Sequence, residues 1–467
     1  MNTTSDIVQK LWNLCHILRD DGITYLQYIT ELTYLLFLKM AKETGTDDKL
    51  PNGYRWVDLE AREAFNQLDF YKELLLKLGS DSSPEIQAIF SNAQTFLKTP
   101  SILSQLVNNI DDLDWYSAKE EGLGDLYEGL LEKNSTEQKS GAGQYFTPRA
   151  LIDSMVYLIK PQPGELIQDP AAGTGGFLIA SDRYIKQHTD DLFTLSEKEQ
   201  DFQRNEAFYG LELVQDAHRL LLMNMLLHGI NSKVKLGDTL TGDGAQLPKA
   251  NIILSNPPFG TKKGGDKTNR DDFTFPTSNK QLAFLQHIYR ALLPNGRAAV
   301  VIPDNVLFED AIGRDIRADL MDKCNLHTIL RLPTGIFYAQ GVKTNVLFFQ
   351  RGITDKGNTK GIWYYDLRAN METFGKRINL TREDFKKFEE FYEQSQRKET
   401  GDEERWKYFT REEILENKDN LDMTWLENEE LEEEEEILEA DFMTEEIISG
   451  LKIALDSMEE IAKSLNS

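Results

Sequence analysis

Asp169-Pro170-Ala171-Ala172-Gly173-Thr174-Gly175-Gly176-Phe177 is the stretch on which the fold turns, together with Asn256-Pro257-Pro258-Phe259 after the apolar run Asn251-Ile252-Ile253-Leu254-Ser255. The first reads as a strand, Glu165 to Asp169, that bends through glycines straight into a helix. Six more stretches share that strand-like texture: Ala207 to Leu213, Val234 to Leu236, Asn251 to Ser255, Arg297 to Ile302, His327 to Leu332 and Asn345 to Gln350. Helical patterns lie between several of them, as at Gln215 to His228 and Gln281 to Leu293. Such alternation requires crossover connections and predicts an α/β domain built on a mostly parallel sheet with both faces covered. Ligands of these sheets bind beyond the carboxyl ends of the strands, where strand order reverses. Both motifs follow strands, so both fall on that edge.

Outward from this core the texture changes. Residues 6 to about 135 carry apolar side chains at helical spacing, for example Leu11, Leu14, Cys15 and Leu18, then Ile102, Leu106 and Ile110. The expected division is an all-helical N-terminal domain at 1–138, a catalytic domain at 139–380 and an acidic helical C-terminal region at 381–467. In the last, Glu432 to Glu436 is an unbroken acidic run and reads as a solvated face or hinge. Ile447, Ile448, Leu451, Leu455, Met458, Ile461, Ala462 and Leu465 then form one apolar stripe. That stripe packs on its own domain or docks on a partner helix, and the sequence leaves both open.

Composition excludes several classes. The chain has 467 residues, 40% of them hydrophobic, enough for two or three domains. No stretch reaches the roughly 18 apolar residues of a membrane span. Leu32 to Met40 is short, bears Lys39 and follows Glu31, so it reads as a buried helix. The N-terminus lacks the features of a signal peptide, and a cytoplasmic protein is expected. Cys15 and Cys324 are far apart and read as core residues rather than metal ligands or a redox pair. A net charge of −26 is the wrong sign for a protein that grips DNA alone. With nucleic acid as substrate, another chain must neutralise much of the phosphate.

The two motifs divide one reaction between them. Gly173, Gly175 and Gly176 let the backbone approach a ligand, and the following helix offers free N–H groups. Glu212, at the end of the next strand, could accept from both ribose hydroxyls of a nucleoside cofactor. Asp238, after the strand beyond, could accept from an adenine amine; for both, a solvated loop carboxylate is the alternative. At Asn256 to Phe259 the Asn256 side-chain oxygen and the Pro257 carbonyl can accept the N–H bonds of a conjugated amine and free its lone pair, with Pro258 stiffening the turn. Phe259 then offers a ring face to an extruded base. Together they point to methyl transfer onto an amino nitrogen from a sulfonium donor, with no metal required. Upstream, Gln144-Tyr145-Phe146-Thr147-Pro148-Arg149 precedes the helical stretch Ala150 to Ile159, with Thr147 expected as its cap and Pro148 in its first turn. The polar loop Thr261 to Asp272 carries Lys262, Lys263, Lys267 and Arg270, and is expected to order over DNA.

With these motifs in this order, the chain resembles N6-adenine DNA methyltransferases, and specifically the modification subunit of type I restriction-modification systems. The resemblance spans nearly the whole chain. It implies a Rossmann-like S-adenosylmethionine-dependent methyltransferase core between a helical N-terminal domain and a helical C-terminal tail. It also implies that Gln144 to Arg149, Thr174 to Gly176 and Glu212 contact S-adenosylmethionine, and that Asn256 to Phe259 hold the target adenine. Asp169, Ala171, Gly173 and Asp238 complete the expected cofactor-binding set. The implied partners are double-stranded DNA, a specificity subunit that reads the sequence, a second modification subunit, and restriction subunits for cleavage; no membrane is involved. The alternatives are a stand-alone DNA methyltransferase, an RNA or protein amino-group methyltransferase, and a non-catalytic scaffold that binds the cofactor.

Overall fold

The computed structural model describes residues 4–14, 25–115, 123–137, 147–259, 270–337, 343–369, 374, 380–395, 397–398 and 405–426. Cys15, Gln144 to Phe146, most of the loop after Phe259, the acidic run and the terminal apolar stripe lie outside them.

One sheet of nine strands organises the described part of the chain. They are β1 (Ile167–Asp169), β2 (Phe208–Glu212), β3 (Lys233–Leu236), β4 (Ala250–Ser255), β5 (Leu292–Pro303), β6 (Cys324–Arg331), β7 (Thr344–Arg351), β8 (Gly361–Asp366) and β9 (Trp406–Thr410). Their order is β3-β2-β1-β4-β5-β7-β6-β8-β9. β1 to β5 pair in parallel, β7 runs antiparallel between β5 and β6, β8 is parallel to β6, and β9 is antiparallel to β8. The seven strands expected from sequence are all present. The strands at its centre are apolar on both faces, as a doubly covered sheet demands: Ile252, Ile253 and Leu254 of β4 are fully buried. Strand order reverses at β1, with β2 and β3 on one side and β4 and β5 on the other.

β8 and β9 were not expected. Each is rich in aromatic residues, which suit a half-buried pleated surface. Trp406 stacks on Phe391 with centroids 3.5 Å apart, and Trp363 packs edge-on to the same ring. Beyond residue 380 the helices Lys386–Tyr392 and Arg411–Glu416 agree with the helical reading of that region, whereas β9 does not. Its aromatic run was hidden among charged neighbours.

Among the described residues before 138 only helices occur. Tyr25–Thr44 is buried nearly all round, including Leu32, Leu35, Leu36, Leu38 and Met40. It takes two charges inside with it. Lys39 pairs with Asp111 at 2.6 Å and Glu43 at 2.8 Å. Glu31 accepts from the Phe96 N–H and, at 3.1 Å, from the Tyr71 hydroxyl, while burial pushes its carboxyl up to about 7. This helical core also takes in Leu220 and Met223 from the helix Gln215–Leu227, which follows β2. From the same helix, Arg219 donates to the carbonyls of Ile89 and Ser91, both at 2.9 Å. The helical region is thereby keyed onto the sheet domain beside the glycine loop. Cys324 is fully buried, and its thiol is pushed up to about 12 by desolvation. No helix of the described residues is long and apolar enough to cross a membrane.

Candidate active site

The turn after β1 explains its glycines. Gly173 and Gly175 carry φ of 54° and 86°, the left-handed region that L side chains rarely enter. Gly175 is the N-cap of the helix Gly176–His188. On β2, Gly210 lies opposite Asp169, and a Cβ there would sit 2.2 Å from the Asp169 carbonyl oxygen, so only glycine lets the two strands close.

Asp169 is buried at the switch point. Its Oδ1 accepts from the Ala171 N–H at 3.0 Å and from the Ser255 hydroxyl at 2.7 Å. Ser255 ends β4, so this pair staples the glycine loop to the strand that carries the Asn-Pro-Pro-Phe turn. Burial raises the Asp169 carboxyl to about 7, against the lowering effect of those two donors. A carboxyl whose folded pKa exceeds its unfolded value of 3.8 binds more protons in the folded chain between the two. Stability therefore falls as pH rises through that window and levels above it. The difference in melting temperature between wild type and Asp169→Asn should move in the variant's favour from about pH 4 to 7 and stay constant beyond. A difference independent of pH would contradict this assignment.

Glu212, 6% exposed at the end of β2, has each carboxylate oxygen on a backbone donor: Oε2 takes the Gly173 N–H at 2.8 Å and Oε1 the Val214 N–H at 2.7 Å. Desolvation still raises its pKa above the ordinary carboxylate value, with these backbone donors opposing. Its first structural task is to hold the glycine loop; a carboxylate has about four lone-pair sites, so it still has acceptor capacity for a further donor. Asp238 Oδ1 accepts from the Leu240 N–H at 2.8 Å and stays part-exposed.

Thr147 was expected to cap the next helix. Pro148 is the N-cap of Arg149–Ile159 instead, and the Thr147 hydroxyl is 3.1 Å from Asn256 Nδ2, which donates to it. The reason is that the prolyl residue already has the extended backbone an N-cap needs, which leaves the threonine side chain free to reach the turn after β4. The other end of that amide, Asn256 Oδ1, is buried and has no hydrogen-bond partner among the described residues. Phe259 stands edge-on to Phe337 at 6.2 Å. Arg149 pairs with Asp125 at 3.2 Å and Glu128 at 3.1 Å on the helix Leu123–Glu137. Arg270, counted above among the basic residues of a DNA loop, is 8% exposed: it donates to the Thr239 carbonyl at 2.6 Å and pairs with Asp272. A guanidinium with those partners braces the loop after β3 and is not offered to phosphate.

One cavity of about 450 Å³ gathers the site. Thr147, Arg149, Asp169, Ala171, Gly173, Thr174, Gly176, Glu212, Asp238, Asn256, Pro258 and Phe259 line it. Pro148, Gly175 and Pro257 are chain neighbours of lining residues but do not themselves line it, and Gln144, Tyr145 and Phe146 fall outside the described residues. Sequence reasoning missed Leu213, Asn224, Glu128 and Phe284, which also line it. Leu213 carried a signal: it is an apolar residue directly after Glu212, and it stands 63% exposed where it lines the cavity. Glu128 and Asn224 carried none, since only the tertiary packing of two helices brings them there.

A parallel sheet with a glycine loop and an Asn-Pro-Pro-Phe turn at its switch point defines an amino-group methyltransferase of the Rossmann-like class, and comparison with known proteins agrees. Residues 118–435 match the N-6 DNA methylase family and residues 7–110 the HsdM N-terminal domain. The methylase subunit of the type I restriction enzyme StySJI from Salmonella typhimurium is 48% identical, with 99% of this chain and 96% of that protein covered. The crystal structure of the type I restriction enzyme EcoKI M protein is 47% identical, with a TM-score of 0.59 over 94% of this chain and 93% of that one. A chain from a structure of type I system assembly and conformational transition is 26% identical, with a TM-score of 0.76 over 98% and 99%. The chain belongs to the type I restriction enzyme methylase subunits, a family of N6-adenine DNA methyltransferases.

Proposed function

We propose that this subunit transfers a methyl group from S-adenosylmethionine to N6 of adenine in double-stranded DNA at the cavity beside β1 and β4. The observation that carries the reading is the buried, unpartnered Oδ1 of Asn256 next to the glycine loop. Thr147 takes the amide's N–H and so fixes the side chain with its oxygen left as the free acceptor. An exocyclic amine conjugated to a purine is a poor nucleophile. Accepting its N–H bonds at Asn256 Oδ1 and at the Pro257 carbonyl favours a pyramidal nitrogen whose lone pair can react. Phe259, steadied by Phe337, provides the face on which the extruded base stacks.

The cavity fits the cofactor. Its volume suits a nucleoside-sized ligand, and carboxylate, amide and hydroxyl side chains stand among its apolar lining. Glu212 would take ribose hydroxyls, Asp238 the adenine amine, and the loop from Gly173 to Gly176 the remainder; Gln144 to Phe146 are assigned to the cofactor from the family resemblance alone. S-adenosylmethionine would supply an electrophilic methyl group on a sulfonium. Among the described residues no group of three or more His, Cys, Asp or Glu side chains is arranged to hold a metal ion.

The partners in this reading are a specificity subunit, a second copy of this chain, and restriction subunits in the full assembly, in the cytoplasm. The region beyond 380 serves partner docking, and 139–380 carry the transfer chemistry. The net charge of −26 supports a division of labour in which the specificity subunit supplies much of the grip on phosphate. Co-expression with the cognate specificity subunit, followed by mapping of N6-methyladenine in host DNA, tests this. Modified adenines confined to one sequence are expected; DNA without modification would refute the assignment.

A further inference from the structure

The strand order gives the cofactor a direction. Asp238 follows β3, Glu212 ends β2, the glycine loop follows β1 and Asn256 follows β4. With the purine and ribose at the first two, the sulfonium must lie toward Asn256, and the amino-acid tail falls over the glycine loop. Two side chains line the cavity there that come from outside the expected motifs. Asn224, on Gln215–Leu227, is 1% exposed; its Nδ2 donates to the Thr174 carbonyl at 3.1 Å, and its Oδ1 is buried with no partner among the described residues. Glu128, on Leu123–Glu137, belongs to an ion cluster in which Asp125, Glu128 and Asp153 face Arg149 and Arg183. Arg149 and Arg183 are thus shared among three carboxylates, and Glu128 is the one of them that lines the cavity.

We propose that Glu128 and Asn224 form the acceptor subsite for the α-ammonium of the cofactor's amino-acid tail, so that the helical N-terminal region completes the cofactor site. The inference rests on the S-adenosylmethionine reading above. An ammonium has three donors and no acceptor, and it answers both features at once: it gives Glu128 a cation of its own and satisfies the orphaned amide oxygen. The tail's carboxylate has the N-terminus of Gly176–His188 below it. Asn224 also holds the loop through Thr174, so occupancy of the subsite is felt by the glycine turn itself. Both residues sit on helices whose other faces belong to the helical core: Leu126, Tyr127 and Leu130 on one, Leu220 and Met223 on the other. Cofactor affinity thereby depends on how the helical region is seated.

Calorimetric titration of the full chain with S-adenosylhomocysteine and with 5′-deoxy-5′-methylthioadenosine, which lacks the tail, tests the proposal. Glu128→Gln should weaken the tailed ligand at least about tenfold and leave the tailless one unchanged. Glu128→Asp, which keeps the charge but withdraws it by one methylene, should show the same selective loss. Equal losses for both ligands would reduce Glu128 to a structural ion pair, and no loss for either would remove it from the site; each result overturns the proposal. A wild-type chain that binds neither ligand would instead bring down the cofactor reading on which it stands.

Discussion

Asn256→Ala is expected to lower methyl transfer at least about 10²-fold while S-adenosylhomocysteine binds within about twofold of wild type. The loss follows from what the alanine cannot do. It removes the acceptor that, in this account, meets the target amine, and a donor or acceptor serving the transition state in a water-poor site is worth more than an ordinary hydrogen bond. Cofactor binding is spared because Asn256 contributes nothing to the glycine loop, whose own bonds run through Asp169 and Glu212. Single-turnover transfer with the assembled enzyme, set beside a binding isotherm, separates the two quantities. Wild-type turnover by the variant would end the mechanism.

The second large effect is expected at Glu212. Replacing it with Ala strips the acceptors from the Gly173 and Val214 N–H groups. Each buried N–H left unpaired costs about 1–3 kcal/mol, and relaxation of the loop to avoid that cost opens the cradle. Glu212→Ala should therefore weaken S-adenosylhomocysteine at least about 10²-fold, alongside a lowered melting temperature. Glu212→Gln should fall between, since one oxygen can still accept while the amide N–H₂ faces a backbone donor. Titration calorimetry decides it, and affinity unchanged in Glu212→Ala would show that the carboxylate has no part in holding the loop or the ligand.

The comparison of sequence with structure turns on range. Ile252-Ile253-Leu254 announces a buried parallel strand by itself, because a strand covered on both faces has no polar alternation to disguise it. Gly173 and Gly175 were equally legible, since few other residues tolerate their backbone angles. Trp363-Tyr364-Tyr365 and Trp406-Lys407-Tyr408-Phe409 carry strand-like aromatic residues, but charged residues on either side mask them. Thr147 shows a different limit. A threonine before Pro148 has the local signature of a cap, and only the approach of the turn after β4 diverts its hydroxyl to Asn256. Glu128 lies 45 residues before Gly173 and Asn224 lies 51 residues after it, yet no spacing rule connects them, for the link is a helix pair packed in a separate core.

The central claim is that the Asn256 oxygen is held ready for an amine. The most direct test is a structure of the assembled enzyme with S-adenosylhomocysteine and a duplex carrying its target adenine. The account predicts an extruded adenine on Phe259 with N6 within about 3.2 Å of Asn256 Oδ1, and Thr147 still accepting from Nδ2. An Asn256 oxygen engaged elsewhere, with the turn facing away from the cofactor sulfur, would contradict it.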